Sequence, residues 1–250
     1  MKVVNCASRA EWLEWRNGMG NQYHGASQAS VSAGINPYMT AEELYMVLVG
    51  LKPREDISEK ERVVYGTEAE EPLRRLFELD FADRFKVTTA PYDYLLDERY
   101  PFIGATLDGY LEYTADDKWT LESPTGFTGT IYKGDRGVYE GKTALVRTRE
   151  DFDAWSVQAP DYYLAQGCQQ LYVCRKWAHY WFINALVEVP RFRKVDDGFE
   201  QLPFGEQKIV RHVYFIDDPV VRESINFVIS KVVEMKRRVD LRIPPDTKLS

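Results

Sequence analysis

Two hydrophobic spacings alternate along the chain. Residues 86–113 carry short runs of alternating apolar and polar positions, punctuated by Ala90-Pro91 and Asp97-Glu98, and they predict strands. Within them, F-I-G-A-T-L-D-G-Y-L-E-Y (102–113) predicts two strand segments meeting at Asp108-Gly109. The stretch G-V-Y-E-G-K-T-A-L (137–145) predicts another strand, W-A-H-Y-W-F-I-N-A-L-V-E-V (177–189) a long buried one, and Val210–Ile216 one more. Residues 114–136 read as a hairpin or loop excursion between the Asp108 and Glu140 strands.

Helical spacing occupies the rest. Residues 8–18, with Ser8 as cap, predict a short amphipathic helix, and Ala29, Ser30, Val31 and Ala33 a small-residue helix stopping at Gly34. Thr40 caps the next helix. Ser58-x-x-Glu61 reads as a capping box that opens a helix reaching about Ala82, interrupted by Pro72. Arg147–Trp155, Pro160–Lys176 and Pro219–Val239 complete the set. In the sixth of these, Tyr163, Gln166 and Gln170 form a polar stripe, with Gln169 beside it.

The register singles out some charges. Glu70, Leu73 and Phe77 share one helix face, so Glu70 stands at the edge of the core stripe, where a carboxylate needs a cation nearby. Glu71 instead faces Arg74, Arg75 and Glu78 and reads as solvated. Spacing alone also accommodates a Glu70 with no further role. In a strand, Glu140 and Lys142 emerge on one side, roughly 7 Å apart. That pair is half of what a metal-dependent phosphodiesterase needs, although Glu-x-Lys also occurs on ordinary solvated strands. Asp108-Gly109 likewise has a plain-turn reading.

Composition narrows the classes. The 250 residues, 44% hydrophobic and 28% charged, suit a single domain: an N-terminal helical part (1–57), a core (58–190) and a C-terminal strand and helix (191–250). No apolar run has transmembrane length, and the opening residues do not read as a signal peptide. Cys6, Cys168 and Cys174 are odd in number and lack C-x-x-C spacing, which predicts free thiols in a reducing cytoplasm. A net charge of −7 argues against sequence-independent coating of nucleic acid, though not against an enzyme with its positive charge confined to a cleft.

Taken in order, helical Glu70, strand-end Asp108, Glu140-x-Lys142 and helical Gln166 resemble the P-D…(D/E)-x-K nuclease core. The chain more closely resembles the phage lambda exonuclease group, the YqaJ-like viral recombinases. W-L-E-W-R (12–16), H-G-A-S (24–27) and G-I-N-P-Y (34–38) are similar to that family's N-terminal signature. Y-G-T-E-A-E-E-P-L-R-R-L-F-E (65–78) is similar to its G-x-x-x-E helix, A-T-L-D-G (105–109) stands where it has S-P-D-G, and A-Q-G-C-Q-Q (165–170) is similar to its A-Q-x-Q helix. The likeness spans about residues 9–190. Leu107 departs from the family's proline, and the 32 positions between Asp108 and Glu140 imply an insertion over 111–137.

The resemblance implies a restriction-endonuclease-like α/β fold, with a central mixed sheet flanked by helices. It implies a Mg²⁺-dependent 5′→3′ exonuclease on linear double-stranded DNA, with Mn²⁺ as an alternative ion, acting in phage recombination. Asp108 and Glu140 would be the principal metal ligands, joined by the Gly141 carbonyl and assisted by Glu70. Lys142 would orient the attacking water and Gln166 would bond to the site. Arg16, Ser27 and Thr106 would contact DNA, with Arg16 and Ser27 holding a 5′ phosphate. A ring-shaped homo-trimer and a single-strand annealing partner are further implications. The rivals are a structure- or site-specific endonuclease of the same fold, an inactive DNA-end-binding module, and a carboxylate-pair glycosidase, in which Lys142 has no clear task.

Overall fold

The computed structural model describes residues 1–18, 23–195, 198–202 and 205–245. Strand β1 (Lys2–Asn5), helix α1 (Arg9–Gly18) and the short strand β2 (His24–Gly25) come first. A 3-10 turn over Ala26–Gln28 leads into α2 (Ala29–Ser32), followed by α3 (Ala41–Leu48) and α4 (Glu61–Asp80). Next are β3 (Phe85–Thr88), β4 (Asp93–Leu96), β5 (Ile103–Ala105), β6 (Gly109–Tyr113) and the hairpin β7 (Trp119–Glu122) and β8 (Thr128–Ile131). The chain continues through β9 (Arg136–Leu145), α5 (Arg149–Val157), α6 (Asp161–Cys174) and β10 (Ala178–Val189). It ends with β11 (Phe192–Val195), β12 (Gly198–Gln201), β13 (Glu206–Phe215) and α7 (Pro219–Leu241).

A five-stranded sheet in the order β13-β10-β9-β6-β3 forms the centre. The β9–β10 pair is parallel and its other neighbours are antiparallel, so the sheet is mixed as expected. A parallel pair requires a crossover, which α5 and α6 supply. A second sheet, β1-β4-β5-β2, was not anticipated; its β4 and β5 fall in the chain between β3 and β6 of the central sheet. β5 and β6 therefore belong to different sheets, and Asp108 sits where the chain passes from one to the other.

Side-chain parity fixes the two faces. Val138, Trp181, Ile183, Ala185 and Val187 point into one buried cluster with Ala165, Cys168 and Leu171 of α6 and Val228 and Val232 of α7. Tyr139, Tyr180 and Phe182 point the other way, into a mainly aromatic cluster with Phe77 of α4, Phe85 and Tyr113. Both faces of β10 are covered, which explains its unbroken apolar run.

The region between Asp108 and Glu140 forms the β7–β8 hairpin, and its Trp119, Phe127 and Ile131 pack on the aromatic cluster. The insertion thus adds cover while the β6–β9 ladder stays intact. Leu107, in place of the family's proline, is buried in the α6-side core.

Some local expectations shift. The proposed Ser58–Glu61 capping box does not form: Ser58 N–H donates to Asp56 Oδ1 at 2.9 Å, and the helix starts at Glu61 with Lys60 as its uncapped N-cap. Pro72 lies within continuous α4, on its exposed side, where water can serve the carbonyl that loses its partner. Thr40 does cap α3, in a capping box with Glu43. β13 begins at Glu206, earlier than predicted, because its pairing with β10 extends to Val189–Glu206. The three cysteines are free, and among the described residues no helix is long and apolar enough to cross a membrane.

Candidate active site

The central strand β9 brings the two charged residues to the α6 side of the sheet. Glu140 is only 1% exposed there, and a carboxylate so placed must be partnered. Lys142 Nζ donates to Glu140 Oε1, as does Gln166 Nε2 at 2.5 Å, and Gln170 Nε2 donates to Oε2 at 2.6 Å. Strand alternation supplies the lysine and one helical repeat supplies the two glutamines.

Gln170 is fully buried and fully used. Its Nε2 also donates to the Thr106 carbonyl at 3.1 Å, and its Oε1 accepts from Trp181 Nε1 at 2.8 Å. One amide therefore ties α6, β10, the Thr106–Asp108 turn and Glu140 together. Gln170 was visible in the sequence only as part of the polar stripe. Its position four residues after Gln166, on the same helix face, was the available signal.

Asp108 reaches the same place from the turn just before β6. The β6–β9 pairing ends at Gly109–Tyr139, which leaves the Gly141 N–H to donate to Asp108 Oδ2 at 2.9 Å. Gly141 is buried at this junction. Helix α4 delivers Glu70 from the opposite face; it is exposed, and close enough to feel Asp108, Lys142, Arg74 and Arg9.

These charges perturb one another. Burial raises the Glu140 carboxyl well above the carboxylate range, and the negative charge of Asp108 adds to the effect. Glu70 is raised by the same two causes in the same order, against the pull of Lys142, Arg74 and Arg9. For Lys142, burial works against the charged form, but the Glu140 and Asp108 carboxylates outweigh it and the ammonium is held charged. Its Nζ also stands 5.6 Å from the centre of the Tyr163 ring.

The donor set fits a hard divalent cation. The Asp108 carboxylate raises the cost of ionising both Glu140 and Glu70, and a cation among them would relieve that repulsion. Among the described residues, no group of three or more His, Cys, Asp or Glu side chains already stands at metal-holding spacing.

A small cavity of about 60 Å³ adjoins Gln166. Ser27 and Thr106, two of the expected DNA contacts, line it together with Trp12, Trp15 and Arg54. Arg54 had no sequence signal, because it lies in the irregular stretch before α4. The Arg16 side chain lies outside the described residues. Behind the cavity, the fully buried Gln169 donates Nε2 to the carbonyls of His24 (2.8 Å) and Gly104 (2.9 Å), fixing the Ser27 loop to α6. A larger apolar groove of about 580 Å³ runs between α4, β10 and β13 and contains none of these site residues.

A family model described as YqaJ-like viral recombinase domain matches residues 11–176. No curated protein matches the chain by sequence. Among solved structures, the chain is similar to an alkaline exonuclease, LHK-Exo, from Laribacter hongkongensis, with a TM-score of 0.51 and 14% identity over 93% of this chain and 95% of that one. LHK-Exo in complex with dAMP gives a TM-score of 0.49 and 15% identity, over 92% and 95% of the two chains. At such identities the likeness concerns the fold. The family match covers well over half of the chain, and its span contains Glu70, Asp108, Glu140, Lys142 and Gln166, so the chain belongs to the YqaJ-like viral recombinase domain family.

Proposed function

We propose that the protein is a metal-dependent deoxyribonuclease that degrades one strand of linear duplex DNA from its 5′ end. Family membership supports a nuclease. The observation that carries the chemistry is the convergence of Asp108, Glu140, Lys142 and Gln166 from three separate elements onto one half-buried place.

Asp108 and Glu140 would hold Mg²⁺, or Mn²⁺ in its stead, with the Gly141 carbonyl and Glu70 alongside. When bound, such an ion supplies charge neutralisation at the phosphorus centre and lowers the pKa of a coordinated water. The protein's own groups do the rest. Lys142, held charged, orients the attacking water and steadies the negative charge that develops on phosphate oxygens. Gln166 and Gln170 fix the Glu140 carboxylate so that it need not reorganise. Burial against α6 keeps bulk water from the Glu140 side.

The cavity beside Gln166 suits a terminal phosphate, with Ser27 and Thr106 offering hydroxyls; by the family resemblance Arg16 would add a forked guanidinium. A homo-oligomeric ring, a trimer by resemblance, would combine an acidic exterior with a basic channel; an annealing protein would act on the strand left behind. The reading takes the chain as one nuclease domain working in the cytoplasm on phage-type recombination.

A structure- or site-specific endonuclease of the same fold would use the same residues. Linear and covalently closed duplexes of one sequence separate the two. An end-dependent exonuclease digests the linear form and leaves the circle intact, whereas cleavage of the circle at a comparable rate refutes end dependence.

A further inference from the structure

Lys142 is the inner end of a line of rings that leads out of the site. Its ammonium stands 5.6 Å from the Tyr163 ring centre, and Tyr163 packs on Tyr162 at 4.4 Å. Tyr162 meets Tyr38 edge to face at 6.0 Å. The Arg62 guanidinium then lies 5.6 Å from the centre of the Tyr38 ring. Lone exposed tyrosines are ordinary on protein surfaces. This one, 70% exposed, terminates a continuous path between two cations, one of them at the proposed catalytic centre.

Hydrogen bonds of Asn36 tie down the backbone that carries Tyr38. Asn36 Oδ1 accepts from the backbone N–H of Tyr38 at 2.8 Å and of Met39 at 3.0 Å, while Asn36 Nδ2 donates to Ser30 Oγ at 2.9 Å. The loop is thus pinned to α2, and the ring is held out to solvent on a fixed base. Among the described residues, Arg62 makes its closest contact with the Tyr38 ring and acts on the Glu55 carboxylate only as a more distant charge, so its guanidinium can still take a phosphate.

We propose that Tyr38, with Arg62 beside it, is a stacking platform for unpaired bases of the DNA strand that passes the Lys142 site. With Arg62 over one face of the ring, the exposed remainder of Tyr38 is left for a base; an aromatic ring with a guanidinium against it is the chemistry that binds single-stranded nucleic acid without sequence preference, the ring taking the base and the cation the backbone. In a duplex both faces of each internal base are already stacked, so the platform selects the separated strand. The inference rests on the nuclease reading and adds a contact that its metal site does not need.

The test is binding of a short single-stranded oligonucleotide carrying 2-aminopurine, and of a blunt duplex, to the full chain in EDTA. Parent, Tyr38→Ala, Tyr38→Phe and Arg62→Ala proteins are compared, with circular dichroism as the check on folding. Stacking predicts quenching of the probe by the parent protein. Tyr38→Ala weakens single-strand binding about tenfold, Tyr38→Phe stays within about twofold, and duplex binding changes less. Arg62→Ala weakens binding and lowers its salt dependence. With Mg²⁺ present, Tyr38→Ala raises KM and leaves kcat near the parent value. Unchanged single-strand affinity in both folded Tyr38→Ala and Arg62→Ala overturns the platform while digestion by the parent keeps the nuclease reading intact. A loss in Tyr38→Phe equal to that in Tyr38→Ala also overturns it, since the hydroxyl and not the ring face would then be responsible. A parent protein that neither binds nor digests DNA removes the nuclease reading and this inference together.

Discussion

Gln170 Nε2 lies 2.6 Å from Glu140 Oε2, so the most deeply buried carboxylate of the site is aimed from helix α6 as much as from its own strand. Replacing Gln170 with Ala strands three polar partners at once: Glu140 Oε2, the Thr106 carbonyl and Trp181 Nε1. The expected cost is about 3 kcal/mol of stability, with digestion slowed more than 100-fold. Chemical denaturation and rates on linear duplex measure the two effects. Parent-like values for both would show that Glu140 is oriented without α6.

Gly167, between the two glutamines, allows that helix to lie against β10. A Cβ at this position would come within 2.5 Å of the Trp181 ring system, a contact that side-chain adjustment in a filled core does not absorb. Gly167→Ala is expected to destabilise by about 2 kcal/mol and to lower activity by displacing Gln166 and Gln170 together. Thermal unfolding and turnover would be measured on the same preparation. A stabilised variant, as helix propensity alone would give, contradicts this packing.

His24 makes stability depend on pH. Burial is the main cause that pushes its pKa down to about 4, while Gln169 and the backbone pull the other way. In the unfolded chain the imidazole titrates near 6.5. The folded value lies below the unfolded one, so the unfolded state takes up the proton first as pH falls. The stability contributed by neutral His24 is therefore complete above about pH 6.5 and is lost progressively toward pH 4, about 3 kcal/mol in all. Denaturation midpoints of parent and His24→Gln proteins between pH 7 and pH 4.5 should converge toward the acid end. Parallel curves would mean that the ring titrates normally.

The Ser27 cavity predicts a preference for phosphorylated ends. Duplex carrying a 5′ phosphate should be digested faster than the same duplex with a 5′ hydroxyl, and Ser27→Ala or Arg16→Ala should narrow the difference about tenfold. Equal rates on the two ends in the parent protein would remove the phosphate-pocket assignment.

Much of this arrangement is legible in the sequence. Glu-x-Lys on one strand face, a carboxylate at a strand end and the α4 register of Glu70 follow from local periodicity; the structure sets Asp108 against the Glu140–Lys142 strand, while Glu70 stays exposed within reach of their charge. Gln170 and Arg54 were hidden for different reasons. The burial of Gln170 depends on Trp181, a residue on another element, and Arg54 lies in a stretch with no period at all. The second sheet was missed because β1, β2 and β5 are four residues or fewer, too short to show alternation. Ser58 illustrates the opposite error: a good local capping pattern gave way to a neighbouring carboxylate, that of Asp56.

The most direct measurement of the central claim is release of label from 5′-labelled linear duplex across a Mg²⁺ titration, for the parent protein and for folded Asp108→Asn and Lys142→Met. The account predicts no release in EDTA, release that saturates with Mg²⁺ for the parent, and a loss of at least 1,000-fold in either variant at every concentration. Release by the parent in EDTA, or undiminished release by either folded variant, would contradict it.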